Sequence, residues 1–372
     1  MNKLRTSVLA LVGFMLIHAG ATLPAQDLDK IFFRPQTTIG GYGELHYNSS
    51  KPENGRNSAT LDFHRFVLFF SHAWSEEFAF KSELEIEHNL IAGGKSSGEV
   101  ELEQAYVDYH PNSYWGIQAG VLLPSVGIIN EFHEPPLFFG VERPDYHKVI
   151  IPTTWFGNGA AIYGNIVQLD YRVVVMEGLD GTGFSAKEGI RGGRLKGYKA
   201  DATHPVINLS LSKRNWLGMN LGGSVTMTQA SDTLNGTSAV NQTLVSEFHL
   251  QFTQSNFHAT AEMGQIQYDR PDLVGGVSAA RGIYVDLGYD LAPLLGLSGA
   301  VIPWVRYSDI NTAAKTDGTI PNLDQQHRYA LWRVGLQVKP LPDVVYKLDF
   351  GKKMPETGAD VSQLNLGVGY MF

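Results

Sequence analysis

The side chains able to do chemistry in this 372-residue chain are mostly carboxylates and bases set at every second position. Lys81, Glu83, Glu85 and Glu87 alternate with Phe80, Leu84 and Ile86, and Asp170 and Arg172 alternate with Leu169, Tyr171 and Val173. The pattern returns at Arg333 between Trp332 and Val334, and at Lys347 and Asp349 among Tyr346, Leu348 and Phe350. A period of two sends the two sets to opposite faces of a strand, one wet and charged, the other apolar. Two further concentrations fall outside this alternation. The stretch 122–156 holds Glu131, His133, Glu134, Glu142, Arg143 and Asp145 among prolines and aromatics, and a basic stretch holds Lys187, Arg191, Arg194, Lys196 and Lys199.

These residues do not read as a catalytic centre. Acyl or phosphoryl chemistry needs a nucleophile, a base and an orienting group within reach of one another, and no such Ser/His/Asp or Ser/His/Asn set can be placed by spacing. His46, His64, His72, His88, His249 and His258 occur singly, as wall or girdle residues do. His133-Glu134 is a single potential metal pair, short of a site. Glu101 and Glu103 with Glu83 and Glu85 offer oxygen ligands to a cation such as calcium, although pairing with Lys81 and Arg65 across a wall is the favoured reading. The expectation is a protein that is not an enzyme and carries no cofactor.

The elements that would position these side chains are strands. Alternation bounded by turn residues marks sixteen, at about 38–47, 60–72, 76–88, 99–110, 113–121, 157–164, 166–176, 205–212, 216–228, 242–253, 256–267, 280–290, 298–309, 327–338, 342–352 and 361–372. Connections after even strands are short, as at Ala73-Trp74-Ser75, Gly164-Asn165 and Lys339-Pro340-Leu341, whereas those after odd strands are long. That segregation is expected of a transmembrane antiparallel β-barrel with tight turns at one end and large loops at the other. A charged side chain facing lipid at mid-depth costs about 2–4 kcal/mol, so the charged set should face inward. A soluble barrel with an apolar lumen needs only about eight strands, and sixteen are too many to fill with side chains. Strand 60–72, apolar on both faces, is the exception; Arg65 is expected to face inward and pair with Glu83, with the inward phenylalanines packed under a loop or plug. In 361–372, Leu364, Leu366, Val368, Tyr370 and Phe372 share one face, and the strand is expected to close on the first.

The first 25 residues read as a secretory signal peptide, with a basic start, a short apolar core and cleavage after Ala21 or Ala25, leaving 26–372 as one barrel. Loss of Lys3 and Arg5 takes the formal charge from −8 to −10, against any nucleic-acid partner. Cysteine is absent, which removes thiol and disulfide chemistry.

Connection 122–156 is too long for a simple turn and too aromatic for disorder, so it is expected to fold into the lumen and narrow it with charged side chains. An outer cap over the barrel mouth is the alternative. The runs Leu61-Asp62-Phe63-His64-Arg65-Phe66, Ser82-Glu83-Leu84-Glu85-Ile86-Glu87-His88, Glu101-Leu102-Glu103-Gln104-Ala105-Tyr106-Val107 and Gly140-Val141-Glu142-Arg143-Pro144 resemble the phosphate-selective porin O and P family. The resemblance implies a sixteen-stranded outer-membrane barrel, commonly trimeric, with an inward loop after the fifth strand and passive diffusion of small solutes. Phosphate selectivity needs a ladder of cations. Yet Lys81, Arg172, Arg333 and Lys347 are outnumbered on the inward set by Glu83, Glu85, Glu87, Asp170, Glu247, Glu262, Asp286 and Asp349. The basic stretch 187–199 could collect anions if it covers the mouth, but it reads as a solvated loop or one bound to lipopolysaccharide. The expectation is a general or weakly cation-preferring pore for small hydrophilic solutes and ions in a bacterial outer membrane; the alternatives are an anion-selective pore and a sealed barrel acting as adhesin or anchor.

Overall fold

The computed structural model describes residues 35–91, 98–234 and 236–372; the candidate signal segment 1–25, nearly all of 26–36 and the tip of the 89–98 connection lie outside the described residues. Sixteen antiparallel strands close into one barrel, the last pairing with the first. They are β1 Gln36–Pro52, β2 Ser58–Ala73, β3 Phe78–Glu87, β4 Glu99–Tyr109, β5 Gly116–Leu122, β6 Gly157–Ile166, β7 Leu169–Met176 and β8 Val206–Trp216, followed by β9 Met219–Leu234, β10 Thr237–Gln254, β11 Phe257–Tyr268, β12 Val277–Tyr289, β13 Ala300–Thr316, β14 Arg328–Leu341, β15 Val344–Pro355 and β16 Val361–Met371.

All sixteen expected strands occur, but several run further than alternation suggested. Segments 48–59 and 229–241, read as loops, are largely the ends of the β1–β2 and β9–β10 hairpins, with Gln229, Ser231 and Thr233 laddered to Gln242, Val240 and Ser238. The ladder is made by backbone amides and carbonyls, so hydrogen bonding continues where the apolar pattern stops. The tight turn expected at Gly164-Asn165 lies instead at Val167 and Gln168, both at positive φ (52° and 65°), where Asn165 Oδ1 accepts from the Gln168 amide at 3.2 Å.

The two faces separate as the alternation required. Leu209, Leu211, Trp332, Val334, Tyr346, Leu348, Phe350, Leu364 and Leu366 are exposed on the outside, while Glu83, Glu85, Arg333, Lys347 and Asp349 are buried inside. The closing strand is tied at its end, since Phe372 donates its amide to Gly41 O and accepts from Gly41 N, each at 2.9 Å, with its ring stacked on Phe66. An apolar band around a sheet with no free edge is the exterior that a bilayer requires.

Arg65 faces inward as expected, but not toward Glu83. The register sets Phe69 opposite Glu83 and Arg65 opposite Glu87, so Arg65 instead pairs with Glu44 at 2.7 Å and Glu85 at 3.3 Å. The cause is the turn: Ala73 pairs with Ala79, so the hairpin turns through residues 74–78 rather than 73–75, and the register runs unbroken from there to Arg65 opposite Glu87. Of the inward apolar residues of this strand, Val67 is fully buried and Phe69 lies 5.8 Å from Tyr42, which in turn meets His133 of the long connection.

Candidate functional site: the inner loop and the lumen chambers

Connection 123–156 folds into the lumen. Wall and loop are joined by bonds that leave few loop groups unsatisfied. Lys347 Nζ donates to Gly140 O at 2.7 Å, Lys339 Nζ to Pro136 O at 2.6 Å and Gln337 to Phe138 O at 2.9 Å, while the Val141 amide donates to Asp349 at 2.8 Å. Glu131 pairs with Arg172 at 2.6 Å, His147 with Glu262 at 2.7 Å, and His133 lies 3.3 Å from Glu83 and 3.4 Å from Glu103. Asp145 accepts from Tyr329 at 3.1 Å and is 3.4 Å from Lys353, and Glu142 accepts from Asn48 at 2.8 Å. Glycines in the wall supply the room. A Cβ at Gly369 would stand 2.4 Å from Pro135, and one at Gly367 2.9 Å from Val141.

Apolar packing completes the attachment. Leu122, Val126, Tyr146, Ile150, Ile151 and Trp155 share one buried cluster with the inward-facing Val174, Met176, Val206, Val245, Ile266 and Tyr268 of the wall. A second connection, 177–205, enters the same cluster through Leu179, Phe184 and Ile190. This overturns the reading of the basic stretch as a solvated loop. Arg191 donates to Thr153 O at 2.5 Å, and Arg194 to the carbonyls of Pro152 and Thr154, so both guanidinium groups brace the inner loop from above. Lys196 is bound to Glu99 and Glu101; Lys187 and Lys199 remain exposed. The apolar Ile190 between the bases, once placed, turns them toward carbonyls rather than solvent.

Among the described residues, three chambers adjoin the inner loop. The outer one, about 720 Å³, lies at the long-loop end and is lined by the carboxylates Glu44, Glu87, Glu142, Asp145 and Glu188 and by Arg65, Arg143, Lys148, Lys187, Arg191, Arg328 and Lys353. At the short-turn end, one chamber of about 610 Å³ holds Lys81, Arg172 and Arg214 against Glu131, Asp170 and Glu247. The second there, about 400 Å³, holds Arg306 and Lys339 against Asp286. Phe138 and Pro144 line both it and the outer chamber, which marks the narrowing.

The expected site residues therefore divide. Glu142, Arg143 and Asp145 come together in the outer chamber, Glu131 joins Lys81, Asp170 and Arg172 in a short-turn chamber, and His133 is buried against Glu83 and Glu103. Glu134 turns away and keeps one oxygen buried without a hydrogen-bond partner. Lys347 and Arg333 are tied off, the latter by Asp349 and Gln363. The excess of inward acid over base does not carry into the chambers, because Glu83, Glu103, Glu262 and Asp349 are covered by the loop or paired within the wall. Sequence reasoning missed Arg306, which chelates Asp286 through two bonds of 2.6 Å. Its alternation with Ser308 was visible, but Trp304 on the same face disguised it. Nor do His46, His64 and His88 stand singly. Their rings adjoin, at centroid distances of 4.8 and 5.8 Å.

Two loop groups are strongly perturbed. Burial by itself would lower His133, but the carboxylates of Glu83 and Glu103 beside it raise it to about 10. Burial likewise opposes ionisation of Glu142, yet the hydrogen bond and charge of His46 hold it down at about 2.

No family model matches the chain. A 142-residue stretch is 46% identical to an uncharacterized protein of Aquifex aeolicus, covering 38% of this chain and about a third, 32%, of that relative. Solved structures share the fold at low identity. Salmonella typhi OmpF superposes with a TM-score of 0.61 over 90% of this chain and 97% of that one at 10% identity. The outer membrane channel DcaP of Acinetobacter baumannii gives 0.59 over 91% and 97% at 12% identity, and the anion-selective porin from Comamonas acidovorans 0.59 over 91% and 100% at 10%. The architecture is that of outer-membrane porins. The phosphate-selective O and P family, to which the motifs pointed, is not carried by these comparisons.

Proposed function

We propose that the protein is a bacterial outer-membrane porin that lets small hydrophilic solutes and ions diffuse passively, with weak charge selectivity. One observation carries this reading: the barrel keeps polar chambers lined by both bases and carboxylates on both sides of an inner loop, inside an exterior banded by apolar side chains. A pore sets preference through the side chains at and beside its narrow part; here Phe138 and Pro144 mark that part, and charged groups of both signs line the chambers on either side. The chain is taken to work as a homotrimer among lipid and lipopolysaccharide, the state of the porins it resembles.

Phosphate selectivity fits less well, because Lys339 and Lys347 are spent on loop carbonyls and Arg172, Arg306 and Arg333 on carboxylates. A sealed barrel is favoured by one feature, the narrowing between outer and inner chambers at Phe138 and Pro144. Refolded protein in a planar bilayer under a salt gradient separates the three. Steady openings with a reversal potential near zero support the porin; a strong anion preference with block by phosphate supports the selective pore; absence of steady openings supports the sealed barrel.

A further inference from the structure

Three histidines far apart in sequence meet at the outer chamber. His46 lies on β1 and faces inward. His64 is the extra residue of the β2 irregularity, which turns both it and Arg65 toward the lumen. His88 follows β3 at positive φ, 58°, with its amide donated to His64 O at 3.1 Å. From the inner loop, Glu142 reaches the same place, 2.9 Å from His46 Nδ1.

We propose that His46, His64 and Glu142 form a binding site for a divalent transition-metal cation of the zinc type. Two imidazoles and a carboxylate are a donor set such ions take, with a further position left to water. One ligand atom from each of the three residues lies within 4.8 Å of the other two. Donors around tetrahedral zinc stand roughly 3.3 Å apart, so rotation of the His64 ring closes the set.

The surroundings are those of a ligand shell. A metal-bound imidazole is held by a carboxylate on its other nitrogen, which fixes the tautomer. His46 Nε2 is 3.1 Å from Glu44 Oε2, leaving Nδ1 for the metal. His64 Nδ1 is 3.3 Å from Asp62 Oδ2, and Asp62 is itself anchored by His88 at 2.8 Å. His64 Nε2 faces a donor, Arg65 Nη2, at 2.9 Å, so that nitrogen carries the lone pair a metal needs. The ion displaces this contact and the proton shared between His46 Nδ1 and Glu142 Oε1; Arg65 keeps Glu44 and Glu85, which offset its charge.

Two other groups among the described residues have comparable spacing. Glu83, Glu103 and His133 are closed from solvent and serve as the loop anchor. Asp62, His64 and His88 share His64, but coordination through its Nδ1 would put the ring proton on Nε2, against Arg65.

The site is testable without any pore. Tag-free, chelator-treated protein in detergent is titrated with Zn²⁺ by calorimetry and with Co²⁺ by visible absorption. The expected result is one saturable site per chain, abolished in His46→Ala, His64→Ala and Glu142→Gln, and weakened about 10- to 100-fold in Asp62→Asn. Heat-modifiable gel mobility certifies that each variant is folded, and His249→Ala, at a lumen histidine outside the cluster, should bind as the parent does. No saturable binding, or binding that survives His46→Ala and Glu142→Gln but is lost in His88→Ala or His133→Ala, overturns the assignment.

Discussion

Along single strands, the inward face of this barrel changes chemistry halfway. On β7, Asp170 and Arg172 line a chamber near the short turns, whereas Val174 and Met176, further toward the long loops, are buried under the inner loop. On β8, Ser210 and Ser212 face the same chamber and Val206 the buried cluster. On β11, Glu262 gives way to Ile266 and Tyr268. On the outer face Leu209, Leu211 and Met263 are exposed at these levels, and polar side chains such as Gln267 take over only toward the long loops. A water path can run past the polar half but not the apolar half, where exposed methyl groups would be a standing cost of about 25 cal/mol per Å². The difference teaches how the loops are held: the apolar half specifies that two connections fold in and stay, and the polar half specifies where water remains.

The comparison is broken most directly by exchanging the two chemistries. Ile266→Asn places an amide without partners in the apolar half at a cost of about 2–7 kcal/mol. The expected outcome is a detached inner loop, seen as larger and noisier single-channel currents and as protease cleavage within 123–156. Ser212→Asn, in the polar half, should change stability by no more than about 0.5 kcal/mol. If both variants behave alike, the two halves are not different environments.

A second test sets the lumen against the exterior on adjacent residues. Leu209→Arg points a charge at lipid and should cost about 2–4 kcal/mol in folding from urea into vesicles. Ser210→Arg points the same charge into the inner chamber and should fold normally while shifting selectivity toward anions. A smaller effect belongs to the loop contact itself. Gly369→Val overpacks Pro135 and should cost about 1–3 kcal/mol, read as a lower temperature for the loss of heat-modifiable mobility.

The smallest expected effect is the pH dependence of loop attachment. His133 is raised from 6.5 to about 10, so its contribution is complete below about 6.5 and is lost as pH rises through 10. Glu142 is lowered from 4.5 to about 2, so its contribution is complete above about 4.5 and is lost as pH falls through 2. Protease resistance of the loop should therefore be greatest near pH 5–6 and decline on the alkaline side first. His133→Gln should remove the alkaline decline and leave the acid one.

Much of this was legible in order along the chain. Period-two alternation in sets such as Trp332, Arg333, Val334 is a local consequence of strand geometry, so the sixteen strands, the outward apolar set and the inward placement of Asp349 needed no tertiary information. The length and composition of 122–156 marked it as a packed segment, with the lumen and a cap over the mouth both open to it. What the tertiary structure decided depends on partners distant in sequence. The β2–β3 turn, wider than the one expected at 73–75, set Arg65 opposite Glu87 and beside Glu85 rather than Glu83, and pairing with β1 brought Glu44, because register counts residues on both strands. The basic loop went inside because Ile190 and Phe184 found an apolar wall that alternation had marked simply as inward. The charge of the path was set by which carboxylates the loop covers, and the meeting of His46, His64 and His88 by closure of the barrel. Alternation fixes which way a side chain points; what it meets there is a property of the closed fold.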